Sequence, residues 1–343
     1  MYLNAHSYFS LRYGTFSEND LLKLAASNSS KFVALTDINN TSACLNFLKQ
    51  AKDYPVKPLV GIDFRNGVDQ KYVVIAKNRD GFREMNEHLS KYLHAKNNFD
   101  EKAPILANCY VIYPFKKVLK INKTEFRENE FIGVSARDLN KLKFSGYRKL
   151  TSKLVVLQSV SFRGKKDFNA HRLLRAIDKN ALLSKLPVEE QADPEDKMLS
   201  EEKLIEAFNE FPEILSNTEA LAENCNVEFT FSKKQNNNLS KIDGEKADEF
   251  RLRKLCFENI ENRYPEATEK VYARLDKELT AIIKLGFVSY FLINYEIVKY
   301  ARQQNYPVIG RGSGANSIVA YIIGITNVDP VSYTHLRAHE TDS

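Results

Sequence analysis

Eight consecutive residues near the end of this 343-residue chain have the types and spacing to hold an anion: Gly310, Arg311, Gly312, Ser313, Gly314, Ala315, Asn316 and Ser317. Glycines let a backbone take positive φ and come close to a charged group. A helix starting on such a turn offers unpaired N–H groups and a partial positive charge. Arg311 adds a fixed fork suited to phosphate oxygens, and Ser313 and Ser317 add hydroxyl donors. The run is not Gly-x-x-x-x-Gly-Lys-Ser/Thr, which argues against a P-loop. The plainer alternative is a tight turn that packs a helix on a strand. Three glycines beside an arginine and two serines favour the phosphate reading.

Other reactive residue types are scattered. Cys44, Cys109, Cys225 and Cys256 form no Cys-x-x-Cys pair, so neither a zinc ribbon nor a redox motif is indicated, and reduced, mostly buried thiols are expected. His88, His94 and His171 sit in helical patterns without partners at ligand spacing and read as surface or packing residues. The basic clusters Lys116-Lys117, 163–166 and Lys233-Lys234 read as solvated faces, and a net charge of +6 is small for the length. Hydrophobic content of 43% with 27% charged residues is that of a soluble globular protein. No run approaches the roughly 18 apolar residues of a membrane span, and the N-terminus has no signal-peptide pattern. A cytoplasmic protein with no membrane partner is expected.

The elements that must position these residues change character along the chain. The apolar pattern predicts strands at 2–6, 32–37, 58–63, 71–76, 109–113, 130–134 and 153–158. Between them it predicts helices from Ser17, at 42–52, 80–92 and 166–177, then at 201–208 and 212–223. Such alternation argues for parallel strand–helix–strand units in an open sheet or a barrel. The polar stretch 232–243 reads as an exposed linker. Beyond it, Leu252, Leu255, Cys256, Asn259 and Ile260 follow helical spacing, as do Tyr272, Leu275, Leu279, Ile282 and Ile283. A third helix is expected at 287–304, a strand at 307–309, and a helix at 314–323 ending on Gly324. The last segment, 332–343, continues no pattern and reads as non-native, adapter-like sequence.

With these elements laid out, the chain resembles a known family. Residues 307–330, with Gly310-Arg311-Gly312-Ser313-Gly314-Ala315-Asn316-Ser317 at their centre, resemble the start of the palm of the alpha subunit of bacterial DNA polymerase III. Leu285-Gly286-Phe287-Val288-Ser289-Tyr290-Phe291-Leu292-Ile293 and Ala222-Glu223-Asn224-Cys225-Asn226-Val227 are similar to the same family. His6-Ser7-Tyr8-Phe9-Ser10-Leu11, Ala34-Leu35-Thr36-Asp37 and the run 57–64 resemble its polymerase-and-histidinol-phosphatase (PHP) domain. The matches run in family order from residue 2 to 330. The resemblance implies an α/β fold: a β/α-barrel-like PHP domain with a helical extension at 1–235, then the mainly helical start of an incomplete nucleotidyltransferase-type palm at 236–331.

It also implies a function and a site. The whole protein would add dNTPs to the 3′-hydroxyl of a DNA primer-template by two-metal nucleotidyl transfer with Mg²⁺, alongside a sliding clamp and other replisome subunits. Gly310, Arg311, Gly312, Ser313, Gly314, Asn316 and Ser317 would cradle the incoming triphosphate. The Mg²⁺-binding aspartates lie further on in the family. No Asp-x-Asp follows Pro330 here, and Asp329 matches the Asp-Pro preceding that segment, so no catalytic residue and no activity are expected of this chain alone. In the PHP domain, metal ligands of the family correspond to Asn4 and His6, to Asp37 and Ile38, to Asp63, to Tyr72, and to Ser159 and Ser161. Only His6, Asp37 and Asp63 keep ligand character, so a vestigial site without metal is expected. The alternatives are a stand-alone PHP-type metal-dependent phosphoesterase and a non-catalytic module that binds nucleotide or nucleic acid. The start of a palm without its remaining strands should leave apolar helical faces uncovered.

Overall fold

The computed structural model describes residues 1–231 and 242–331, with Ser313 described by its backbone alone. Most of the polar stretch 232–243, the Lys233-Lys234 cluster and the tail 332–343 lie outside the described residues. The chain divides into two compact units, Met1–Thr230 and Phe231–Ser343.

The first unit runs β1 (Tyr2–Ala5), α1 (Glu18–Ser27), β2 (Phe32–Leu35), α2 (Cys44–Gln50), β3 (Lys57–Asn66), β4 (Asp69–Ala76), α3 (Arg79–Ala95), β5 (Cys109–Pro114), α4 (Phe115–Ile121), β6 (Glu130–Val134), α5 (Leu139–Lys143), β7 (Leu154–Val156), β8 (Ser159–Val160), α6 (Lys165–Asp178), α7 (Glu201–Ala207) and α8 (Pro212–Glu223). Local signals place several ends. Ser17 and Asp20 close a capping box on α1, and Asn78 caps α3 through Gly81 N–H. Three elements are not foreseen by the apolar pattern: α4, which follows β5 without a break, the short α5, and the two-residue β8.

One sheet holds all eight strands in the order β7-β6-β5-β4-β3-β2-β1-β8. β7 and β8 stand at opposite edges, yet only Leu157 and Gln158 separate them along the chain. Two residues span too short a distance to cross a flat sheet, so the sheet curls until its edges approach, the barrel-like PHP shape. The expected all-parallel pairing needs correction, because β4 runs antiparallel to both β3 and β5. The cause is local: Gly67 and Val68 are the only residues between β3 and β4, and Gly67 takes φ +62. A two-residue link makes a hairpin, whereas a parallel return needs a long crossover. The core is one apolar cluster drawn from both faces of the sheet, including Tyr2, Leu35, Ile62, Val74, Ile112 and Val155.

The second unit comprises α9 (Glu245–Arg263), α10 (Glu269–Leu285), α11 (Val288–Gln303) and the short α12 (Ile318–Ile322). Leu252, Cys256 and Ile260 of α9 pack with Leu275, Leu279 and Ile282 of α10, Leu292 of α11, and Ile318 and Ile322 of α12. Two expectations fail here. Tyr272 is exposed while its neighbour Val271 is buried, so the inward stripe of α10 is displaced by one residue at its start. Residues 307–309 form no strand, because among the described residues this unit contains no strand for them to pair with. No single helix among the described residues is long and apolar enough to cross a membrane.

Candidate functional site

In the first unit the three candidate ligands converge where β1, β2 and β3 run toward their C-terminal ends. Asn4 and His6 lie on one face of the first strand and its extension, since side chains alternate. Asp37 follows β2, and Asp63 is brought level by the parallel bridge between Ile38 and Asp63. His6 Nε2 lies 3.0 Å from Asp63 Oδ2, and its Nδ1 lies 2.9 Å from the hydroxyl of Ser161. All three side chains are buried.

Each is already engaged. Asp37 Oδ1 accepts from Ser7 N–H and the Ser10 hydroxyl, and Oδ2 accepts from the Ser7 hydroxyl, all at 2.7 Å. Burial raises the Asp37 carboxyl above its usual range, partly offset by those three hydrogen bonds. Gly14 fixes the loop carrying these serines, because a Cβ there would stand 1.7 Å from Ser7 carbonyl oxygen. Asp63 Oδ2 accepts from Arg65 Nε at 3.0 Å, Arg65 Nη2 at 2.6 Å and Gln70 Nε2 at 2.8 Å, besides its contact with His6. Burial works against ionisation of Asp63, but the Arg65 charge and the His6 contact outweigh it and hold the carboxyl at about 2. Reciprocally, the guanidinium is stabilised well above its ordinary value by Asp63, despite its own burial.

Arg65 and Gln70 are absent from the candidates drawn from sequence, and for Gln70 the reason is a β-bulge. Phe64 pairs with Tyr72, but Arg65 pairs with Gln70, so Lys71 is an extra residue in β4. The bulge turns Gln70 to the face that carries Asp63 and Arg65, while Tyr72 stays on the opposite face. Tyr72 accordingly packs on Phe64 and meets His88 of α3, its hydroxyl 2.9 Å from Nε2. The structure therefore does not bring Tyr72 to the candidate ligands. A period-two signal exists for Arg65, two residues after Asp63 on one strand. Nothing local signals Gln70.

The other positions that align with family ligands form a neutral web. Asn4 Nδ2 donates to Ser159 Oγ at 3.0 Å, and Asn4 Oδ1 accepts from Thr36 Oγ1 at 2.8 Å. Ile38 packs with Tyr13, Phe162, Phe168 and Ala192 in a small apolar cluster beside the site. Tyr13 sets its ring edge-on to His6 at 5.4 Å and under the Arg65 guanidinium at 5.0 Å. Do these residues fit a metal? Asp63 Oδ1 is buried with no hydrogen-bond partner, which is one donor. Against it, Asp37 already accepts three hydrogen bonds, both ring nitrogens of His6 are engaged, the second Asp63 oxygen holds a cation already, and Ile38 supplies no lone pair. Among the described residues no group of three or more His, Cys, Asp or Glu is arranged to hold a metal ion. The donor set does not fit one.

His88 and His171 are buried packing residues. The Nδ1 of His171 lies 2.8 Å from Tyr13 carbonyl oxygen, and its Nε2 accepts from Ala192 N–H at 2.9 Å, which fixes the neutral Nδ1–H tautomer. Burial lowers both histidines to about 4.

In the second unit the glycine turn is built differently from the single helix expected at 314–323. Ser313–Asn316 is one 3-10 turn, Ser317 is extended, and α12 starts only at Ile318. Ser317 is the N-cap, its hydroxyl accepting from Ala320 N–H at 3.0 Å. The same hydroxyl bonds Glu278 of α10, whose other carboxylate oxygen accepts from Ile318 N–H at 3.0 Å. A carboxylate of the protein thus neutralises the start of α12. Gly312 takes φ +81, a conformation that favours glycine, and Gly310 lies so close to Thr326 that a Cβ would approach its Oγ1 to 2.7 Å. Arg311, Gly312 and Gly314 are exposed, Gly310 and Asn316 half-buried, and Gly324 ends the segment at φ +82 as expected. The Asp329 carboxylate accepts from the Tyr264 hydroxyl at 2.6 Å and from Val331 N–H at 2.9 Å, the bonds of a structural residue.

A curled mixed sheet with His6, Asp37 and Asp63 gathered at its strand ends is a PHP-type arrangement, and the family comparison agrees: residues 3–129 match the PHP domain. Residues 250–338 match the bacterial DNA polymerase III alpha NTPase domain, a match that continues into the segment expected to be foreign. DNA polymerase III subunit alpha of Buchnera aphidicola subsp. Acyrthosiphon pisum is 27% identical over 98% of this chain and 33% of its own length. The Borreliella burgdorferi protein of the same name gives the same three figures. An error-prone DNA polymerase of Symbiobacterium thermophilum is 25% identical over 96% of this chain and 35% of its own length. The chain therefore carries a PHP domain followed by part of a polymerase III alpha NTPase domain, and it spans about a third of the length of the curated relatives it matches.

Proposed function

We propose that this chain is the N-terminal region of a bacterial replicative DNA polymerase alpha subunit, cytoplasmic in the cell. The observation that carries this reading is collinearity: two domain matches in family order, and relatives of that name aligned over nearly the whole chain. In this reading 1–235 is the PHP domain with its helical extension and 236–331 opens the palm. The whole enzyme would join dNTPs to a primer 3′-hydroxyl with Mg²⁺, in company with a sliding clamp and other replisome subunits.

Within the chain, Gly310, Arg311, Gly312, Ser313, Gly314, Asn316 and Ser317 form the triphosphate cradle. The exposed cation of Arg311 and the backbone of Gly312 to Gly314 do the holding, because the Ser317 hydroxyl already serves Ala320 and Glu278. Arg274 reaches Asn316 carbonyl oxygen at 3.5 Å and Pro330 carbonyl oxygen at 2.8 Å, tying the turn to α10. No Asp-x-Asp follows the turn, so the 343 residues bind nucleotide without transferring it. The test is primer extension with Mg²⁺, comparing this chain with the product of the complete gene. Extension by the gene product alone supports the reading. Extension by the 343-residue chain, or a complete gene with no acidic Asp-x-Asp pair beyond codon 331, overturns it.

A further inference from the structure

The PHP cradle poses an electrostatic problem that its metal ligands would ordinarily solve. A buried carboxylate and a buried imidazole sit side by side in an apolar shell, and a carboxylate there needs a positive partner. We infer that Arg65 is that partner: its guanidinium is a built-in cation that does in this PHP domain the charge-neutralising work a bound metal would do, on the Asp63 oxygen where β3, β4 and the β1 extension meet.

The geometry supports this from four sides. Arg65 reaches Asp63 Oδ2 with both Nε and Nη2, at 3.0 and 2.6 Å, the two-pronged grip only a guanidinium makes. The same oxygen takes His6 from the first strand and Gln70 from β4, so three segments meet on one atom. The remaining edge of Arg65 donates to the Tyr13 hydroxyl at 3.2 Å, with the charge over the Tyr13 ring. Finally, the backbone of Arg65 is held in place. Asn39, at φ +51, accepts from Arg65 N–H at 2.9 Å and donates to its carbonyl oxygen at 2.8 Å, continuing the ladder where β2 has ended. The side chain is buried and its partner wholly so. A cation so fixed stays without any metal supply, and it repels a divalent ion from the same carboxylate. Two strand residues at i and i+2, Asp63 and Arg65, thus replace a metal with a side chain.

A double-mutant cycle in the full chain tests this. Arg65→Met keeps the stem and removes the charge; Asp63→Asn removes the charge it neutralises. Arg65→Met alone should lower the melting temperature by roughly 10 °C, since it leaves a carboxylate buried and unpaired. Adding Asp63→Asn to it should recover at least half of that loss, and Arg65→Lys should fall between wild type and Arg65→Met. Wild type dialysed against Zn²⁺ or Mn²⁺ should retain no stoichiometric metal by elemental analysis, and its melting temperature should not move with EDTA. Additive losses in the cycle would mean that Arg65 only fills space, and would overturn the inference. Stoichiometric metal in wild type, or a chelator-dependent melting temperature, would overturn it as well. If Arg65→Met fails to fold, the comparison of Arg65→Lys with wild type and the metal measurements decide.

Discussion

Asp63 and Arg311 carry single charges in the two units of this chain, and the fold treats them in opposite ways. Asp63 is wholly buried and its Oδ2 meets four polar contacts from three side chains; Arg311 stands exposed on a glycine turn. The difference separates a site whose chemistry has been closed from one that can still meet a ligand. A new partner at Asp63 Oδ2 must displace one of the groups that already hold that oxygen. An exposed guanidinium can meet a phosphate by displacing water alone. The same contrast extends to the cores. In Met1–Thr230 the apolar cluster lies among eight strands, whereas α11 of the second unit exposes Tyr290, Ile293, Ile297 and Tyr300 along one side.

This comparison can be broken by measurement. The largest effect should come from Asp63→Ala, which leaves Arg65 and His6 around a missing charge. Loss of one partner of a buried pair costs about 3–5 kcal/mol, and urea unfolding of the first unit should show it. A loss under about 1 kcal/mol would make the Asp63 cluster no more structural than the turn.

Next comes pH. His88 and His171 ionise near 6.5 when unfolded but only near 4 in the fold, because burial disfavours the charged ring. Unfolded chains therefore bind more protons between those values, so stability is full above about 6.5 and falls as the pH drops toward 4. The loss should be on the order of 1–3 kcal/mol per histidine. Protonating His171 also breaks its bond from Ala192 N–H. His171→Gln should flatten that limb of the profile, and an unchanged profile would remove this account.

Smaller still, Ser317→Ala removes the α12 cap and the bond to Glu278, and should cost about 1 kcal/mol in the second unit. The smallest stability effect belongs to Arg311→Ala, within about 0.5 kcal/mol by thermal melting, as for an exposed surface change. The same substitution should weaken dNTP binding about tenfold or more in equilibrium titration, the loss of one charge-assisted contact. An Arg311→Ala chain that binds dNTP as tightly as wild type would leave the turn a packing feature.

Much of this architecture is legible in the residues themselves. Alternating apolar runs locate seven of the eight strands, because strands buried in one sheet need continuous apolar residues wherever they sit. The order of motifs points to both domain matches, and Ile38, Asn4 and the serines at 159 and 161 stand where the resemblance to the family would place metal ligands. The antiparallel β4 is in principle readable from Gly67-Val68, too short for a crossover. Other features are not readable at all. Gln70 meets Asp63 because one extra residue at Lys71 reverses the face of the strand, and a period-two count through the bulge gives the wrong side. Glu278 reaches Ser317 across 39 residues, and Ser161 reaches His6 across 155. Sequence alone determined which residues wanted burial and which turns had to bend, since those follow from each residue's own chemistry and its neighbours. Only the tertiary structure decided what surrounds Asp63, because the groups that settle on a buried carboxylate are chosen by register, bulge and strand curl.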